Sequence, residues 1–253
     1  MRHLIPWRIF FMLLSVSIIS VFAVFPYVVT LQGSLLRQVH QPLIVIFLLQ
    51  LLQSIILFSI AIFIGLYLTK KVNFSLPLLE SVMNRPNAKK VLVDIAPISI
   101  VLGIIAAVSI YVVDFVFTFQ GAAISTSHNP APIWQRLLAA FYGGTTEEIL
   151  MRLFVMTLFV WLGLKITGNQ YRNTIISIAI LLSAILFGLG HLPITSSLTT
   201  ITQVIVVRAV VLNGIGGIIF GLLYWKKGLE AAMISHLTAD IFLLVLLPSL
   251  FGK

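Results

Sequence analysis

The sequence predicts an all-α fold, a polytopic transmembrane helix bundle with seven to eight spans. Three observations lead there. The chain of 253 residues is 60% hydrophobic and 9% charged. Its mean hydropathy is +1.12, outside the usual composition of a soluble domain. Its apolar residues fall in runs of roughly 20, the length that crosses a hydrocarbon core of about 30 Å. No long polar stretch could build a second domain, so residues 1–253 read as a single integral-membrane domain. There is no cysteine, which excludes disulfides, cysteine zinc sites and thiol catalysis. The net charge of +9 would suggest nucleic acid in a soluble protein. Here the basic residues lie between apolar runs, which marks membrane orientation. The partners expected are membrane lipids, and no nucleic acid.

The elements follow in order. The first span runs from about Ile9 to Val29, after Arg2 and Arg8. It is longer than the core of a secretory signal and lacks a small-residue cleavage site, so it reads as retained. The second covers about Leu43–Leu68 and ends on Lys70 and Lys71. Residues 72–90 mix prolines and charges and read as a loop with a short interfacial helix. The third span covers about Val91–Phe119, with Asp94 and Asp114. Residues 120–133 form a polar, proline-containing loop. The fourth region, about Ile133–Leu164, is either one long helix or two. In the second case Gly143-Gly144 breaks it, and Thr145 with Glu148 forms a capping box. Residues 76–90 or 133–142 are the candidates for an eighth helix. The fifth span covers about Thr174–Leu192. The sixth covers about Ile201–Trp225, with glycines at 214, 216, 217 and 221 for close helix packing. A tight turn at Lys226-Lys227-Gly228 leads into the seventh, about Leu229–Leu247.

Basic residues alternate sides along this scheme. Arg2, Arg8, Lys70, Lys71, Arg85, Lys89, Lys90, Lys165, Arg172, Lys226 and Lys227 fall on one side, and Arg37, Arg136 and Lys253 on the other. Eleven against three places the N-terminus of a multi-pass protein in the cytoplasm, and the cell membrane is the expected location. No internal repeat is visible, which weighs against an inverted-repeat transporter.

The stretch Gly143-Gly144-Thr145-Thr146-Glu147-Glu148-Ile149-Leu150-Met151-Arg152 stands out. An ionised side chain at bilayer depth costs about 2.5–3.5 kcal/mol on insertion scales, so three charges within six residues imply mutual compensation. Glu148 and Arg152 share a helix face and can pair. Glu147 is turned from that face by about 100° and is free to point elsewhere. His191 ends the fifth span, and His236 and Asp240 share a face of the last one. A glutamate and two histidines can polarise a water for hydrolysis, with or without a metal. Blander roles are open to each piece: a structural ion pair for Glu148 and Arg152, a helix cap for His191, an interhelical hydrogen bond for His236 and Asp240. Asp94, Asp114 and Arg208 read as structural partners within the bundle. His3, His40 and His128 read as solvated. The same acids and histidines could also serve a transporter or proton-coupled carrier.

Glu147-Glu148-x-x-x-Arg152, Phe187-x-x-x-His191 and His236-x-x-x-Asp240 occur in that order on separate apolar segments. They resemble the three motifs of the CAAX protease and bacteriocin-processing family of intramembrane proteases, which includes the type II CAAX prenyl endopeptidases. The run Gly217–Leu229 resembles the family's approach to its last motif, and the likeness covers about residues 140–245. The resemblance implies a catalytic motif-bearing core there and an intramembrane metalloendopeptidase-like activity. It implies Glu147 as general base, His191 holding the water or a metal, and His236 with Asp240 stabilising the tetrahedral intermediate. Glu148 and Arg152 would support Glu147. Zinc or another divalent metal on Glu147, His191 and His236 is implied by the same likeness, whereas the residues alone equally admit a metal-free mechanism. The implied substrate is a peptide or membrane protein, with or without a prenyl group. A catalytically idle immunity or scaffold protein on the same fold is the alternative within the family. One departure is Asp240, where the prenyl endopeptidases commonly carry asparagine. One geometric difficulty also follows. Straight helices put His191 far along the fifth span and His236 only about two turns into the seventh, too far apart along the membrane normal to meet.

Overall fold

The computed structural model describes residues 5–36, 38–84, 87–119 and 131–251. Arg2, His3, Arg37, Arg85, His128 and Lys253, and most of the loop 120–133, lie outside the described residues. The described chain is helical: α1 Trp7–Leu36, α2 Leu43–Val72, α3 Pro77–Asn84, α4 Ala88–Phe119, α5 Ile133–Tyr142, α6 Thr157–Ile166, α7 Arg172–Gly190, α8 Leu192–Ser196, α9 Gln203–Lys227, α10 Leu229–Ile241 and α11 Leu247–Phe251. Among the described residues seven helical stretches are long and apolar enough to cross a membrane. They correspond to the seven sequence spans. The protein is an integral membrane protein, a polytopic all-α bundle. The segment 77–84 is the short helix α3, too short to span, and 133–142 is the first part of the fourth span.

Inside a bilayer the backbone has no water to bond with, so a helix must satisfy its own polar groups. The hydroxyls within the spans follow the same rule. Ser17 donates to Leu13 O at 2.9 Å, Thr69 to Gly65 O at 2.7 Å and Ser99 to Ile95 O at 2.8 Å, each one turn back. The helices then pack closely where a side chain is missing. Gly188 stands against the backbone of Val210, and Gly217 against Ala184, drawing α7 onto α9. Gly103 meets the carbonyl of Ser235, which draws α4 onto α10.

The fourth span is continuous, not broken at Gly143-Gly144. Gly143 keeps helical dihedrals, φ −57° and ψ −55°. The capping-box alternative fails because Thr145 is inside the helix and its hydroxyl donates back to Phe141 O at 2.6 Å. What the span does instead is widen. Residues Gly143–Glu147 and Ile149–Met156 are π-helical, between α5 and α6. Such wide turns concentrate at functional sites in helices, and all three charged positions of the motif, Glu147, Glu148 and Arg152, fall in or between them.

The depth difficulty is resolved at the start of α10. Gly228, at φ +96°, makes the sharp turn from α9. Leu229 N donates to Ser75 O at 3.2 Å, and Gly228 rests against the Pro77 ring. Residues 75–79 thus lie against the α9–α10 turn, and Leu229, Glu230, Ala231 and Ala232 are buried from the first turn. The first turn of the last span is thus covered by protein rather than open at the surface, and the approach of Glu147 to both rings puts His236 at the level of His191. Aromatic rings bridge the remainder. Phe187 of α7 meets the rings of both His191 and His236, at 4.7 and 5.7 Å between centroids.

Candidate active site

The wide turn of the fourth span sends its two glutamates in different directions. Glu148 points inward and is fully buried with Arg152, whose Nε lies 3.2 Å from Glu148 Oε2. The N–H is not aimed along that line, so the contact is an ion pair rather than a hydrogen bond. The guanidinium also sits near the rings of Phe187 and Phe220, at 5.4 and 6.0 Å, where a desolvated cation gains from the ring quadrupole. The other Glu148 oxygen, Oε1, lies 2.9 Å from His236 Nδ1. A carboxylate only accepts, so Nδ1 carries the proton of that bond. Phe220 stacks on the His236 ring at 4.6 Å. Arg152, Glu148 and His236 therefore form one buried chain, each orienting the next.

Glu147 points to the accessible side. Its Oε2 lies 4.0 Å from His191 Nε2 and 3.9 Å from His236 Nε2. His236 Nε2 is also 3.5 Å from Asp240 Oδ2. The side chains of Glu147, His191 and Asp240 are 25%, 30% and 21% exposed, against 5% for His236. The outer atoms are open to a small molecule and the inner ones are not. His191 is fixed by its other nitrogen, since Nδ1 lies 2.8 Å from Phe187 O. A carbonyl accepts, so Nδ1 donates, and Nε2 is left to face Glu147. The 4.0 Å between them leaves room for a bridging water.

The structure brings together all six sequence candidates: Glu147, Glu148, Arg152, His191, His236 and Asp240. Asp114 and Arg208 pair elsewhere, on α4 and α9, at 2.6 Å. Asp94 and His40 are exposed. One carboxylate and two imidazole nitrogens, each ring anchored through its other nitrogen, have the donor chemistry of a metal site. The separations of 4.0 and 3.9 Å suit hydrogen bonds through a water as they stand, and are somewhat wider than the ligand spacing about a tetrahedral zinc ion. Of four further residues that matter here, Phe220 and Ser20 are not evident from the sequence. Phe220 is unremarkable in an apolar run, and Gly143 stands out there only as a possible helix break. Ser20, which bonds Thr145 across the site at 2.7 Å, is a lone hydroxyl. Glu230, buried at the start of α10, did leave a signal: a carboxylate in the first turn of a membrane span.

The fold and site define a class first: an integral membrane protein with a carboxylate–imidazole centre in its helix bundle. Residues 129–242, just under half of the chain, match the family model of the Rce1-like type II CAAX prenyl endopeptidases, and this likeness supports a CAAX-type intramembrane endopeptidase activity in general. The match spans α5 to α10 and holds every site residue named above except Ser20. No curated protein and no solved structure matches the chain.

Proposed function

We propose that the protein is an intramembrane endopeptidase that hydrolyses a peptide bond with a water activated by Glu147. The observation that carries this reading is the position of Glu147 Oε2, about equally far from the Nε2 atoms of His191 and His236. A water between Glu147 and His191 is held by both. Glu147 takes its proton as the oxygen attacks the carbonyl carbon, and later delivers that proton to the leaving amine. His236 lies across the same centre and, as an imidazolium, donates from Nε2 to the oxyanion that forms. Glu148 holds its Nδ1 proton, and Arg152 holds Glu148. Asp240 stands beside Nε2 and orients the ring. His191 and Glu147 are exposed enough to meet an extended peptide, and the membrane setting favours a segment presented at or within the bilayer. A proton-relay carrier would use a chain of charges across the bundle; the Asp114–Arg208 pair instead closes on itself.

The test is proteolysis of a peptide panel, with and without prenyl groups, by purified protein in lipid. Glu147→Gln should fold and melt normally and lose at least about 10²-fold in rate, the lower range for a general base. Dialysis against a chelator should leave the rate within about twofold, because the site groups are spaced for water hydrogen bonds. Zinc-restored activity after chelation would put a metal ion in that position instead. Cleavage at the normal rate by the Glu147→Gln protein would end the peptidase reading.

A further inference from the structure

Glu230 is a buried carboxylate that the hydrolytic scheme leaves without a role. It lies in the first turn of α10 and is 5% exposed. Its Oε1 accepts a hydrogen bond from Leu79 N at 2.8 Å, and its Oε2 is buried without a partner. Leu79 is the third residue of α3. Its N–H is among the amides that a helix cannot satisfy from within. Leu76, just before α3, has no side-chain acceptor. The carboxylate that completes this helix start therefore comes from a different span, 151 residues away in sequence. An acidic group there is also favoured by the helix dipole.

We propose that Glu230 is a positioning residue: by capping α3 it fixes how deep α10 sits, and so sets His236 against Glu147 and Glu148. This rests on the peptidase reading for its effect on rate. His236 is six residues further along the same helix, about 9 Å at 1.5 Å per residue. A straight helical segment passes an axial shift at its start directly to that ring. The tolerance is small. His236 Nδ1 meets Glu148 Oε1 at 2.9 Å, within a window of about 2.7–3.2 Å, so a slide of about 1 Å removes the bond. The other contacts of this turn, Leu229 N with Ser75 O and Gly228 with Pro77, press on the same segment, and Glu230 is the side chain that locks it.

The closing experiment compares Glu230→Gln with Glu230→Met in protein reconstituted in lipid. Glutamine keeps an oxygen that accepts from Leu79; methionine keeps the volume and loses the acceptor. The chain has five histidines, so selective ¹⁵N labelling resolves the His236 imidazole. In Glu230→Met the His236 Nδ1 resonance should lose its hydrogen-bonded shift while that of His191 stays, and kcat should fall at least about tenfold with KM within about twofold, in line with the cost of angstrom-scale misplacement. Glu230→Gln should retain the His236 signal and most of kcat even where its melting temperature drops. Leu79→Pro, which removes the donor N–H in the first turn of α3, where proline is tolerated, serves if the methionine variant does not fold, and should show the same His236 signature. An unmoved His236 resonance in the folded variant overturns the proposal, whatever happens to the rate. If the wild type cleaves no peptide, the resonance still decides the positioning claim, so the two failures are distinguishable.

Discussion

A methyl group added at Gly143 would stand 2.3 Å from Oδ2 of Asp240 and 3.3 Å from Nε2 of His236. The first contact cannot persist, and Asp240, the end of a short side chain, is what gives way. The backbone is helical there, so alanine also gains about 1 kcal/mol of helix propensity over glycine. Gly143→Ala should therefore melt near the wild type and lose most peptidase activity, because it displaces the partner of His236. Gly144→Ala makes the contrast. Its methyl group would meet the backbone of Leu237 at 2.9 Å, which cannot rotate away, and this variant should melt markedly lower. A differential scan and a rate assay on the pair separate space kept for chemistry from space kept for packing. Asp240→Asn probes the same corner without changing its shape. Asparagine can still contact His236 Nε2, now 3.5 Å from Oδ2, and it adds a permanent donor. The variant should keep substantial activity and lose one titration from the pH–rate profile. Complete loss in a folded protein would show that the carboxylate charge itself is required.

The fourth span shows how an element can be tuned without being broken. Thr157 donates to Arg152 O, five residues back, at 2.9 Å, and Tyr224 OH donates to Thr157 at 2.8 Å. The Arg152 carbonyl, which takes the Thr157 N–H across the π-turn, thus gains a second bond from a hydroxyl that a neighbouring helix holds in place, and that carbonyl belongs to the residue that pairs with Glu148. Thr157→Val keeps the shape and the backbone bond to Arg152 O, but leaves the Tyr224 hydroxyl with only the long contact to Thr69 at 3.5 Å. About 1–3 kcal/mol for that poorly satisfied buried group should appear as a lower midpoint in denaturation, and the rate should fall as the support of Arg152 weakens. Unchanged melting and rate would make the hydroxyl pair incidental. The same element marks the limit of legibility in the sequence. Glu147, Glu148, Arg152, His191, His236 and Asp240 could be picked out because charge is costly in an apolar run and so conspicuous. The π-turns could not, since one extra residue per turn leaves no trace where nearly every neighbour is apolar. Glycine pairs and a threonine–glutamate spacing suggested a helix start at 145, yet burial across the bundle made a continuous helix the better solution. The meeting of His191 and His236 was hidden for a different reason. The first turn of α10 packs on residues 75–79, far away in sequence, and no local pattern encodes that contact.

At the scale of the whole molecule, the connectivity of seven spans sorts the charges. The ends of α2, α6 and α9 and the starts of α7 and α10 lie at one end of the bundle. Arg172 donates to the carbonyl of Val72, and Leu229 N to Ser75 O, tying these segments together there. Lys70, Lys71, Lys165, Arg172, Lys226 and Lys227 all belong to that end. Three of the lysines lie over aromatic rings: Lys71 on Tyr67 at 5.4 Å, Lys165 on Trp161 at 5.1 Å and Lys226 on Trp225 at 3.5 Å. Amphipathic rings with cationic tips are what anchors a helix end at the headgroup level. The opposite end offers less: Arg208 is neutralised by Asp114, and Arg136 is half-buried, donating to Leu244 O at 3.0 Å. A bundle charged in this way should insert with the lysine-rich end in the cytoplasm. The absence of native cysteine makes the test direct, because a membrane-impermeant thiol reagent then reports only on an introduced residue. Cysteine in place of Lys71, Lys165 or Lys227 should be modified in inside-out vesicles and protected in intact cells. Cysteine in place of the exposed His40, in the turn between α1 and α2, should show the reverse. Labelling of all four from the same side would contradict the seven-span arrangement, and labelling with both patterns exchanged would invert it.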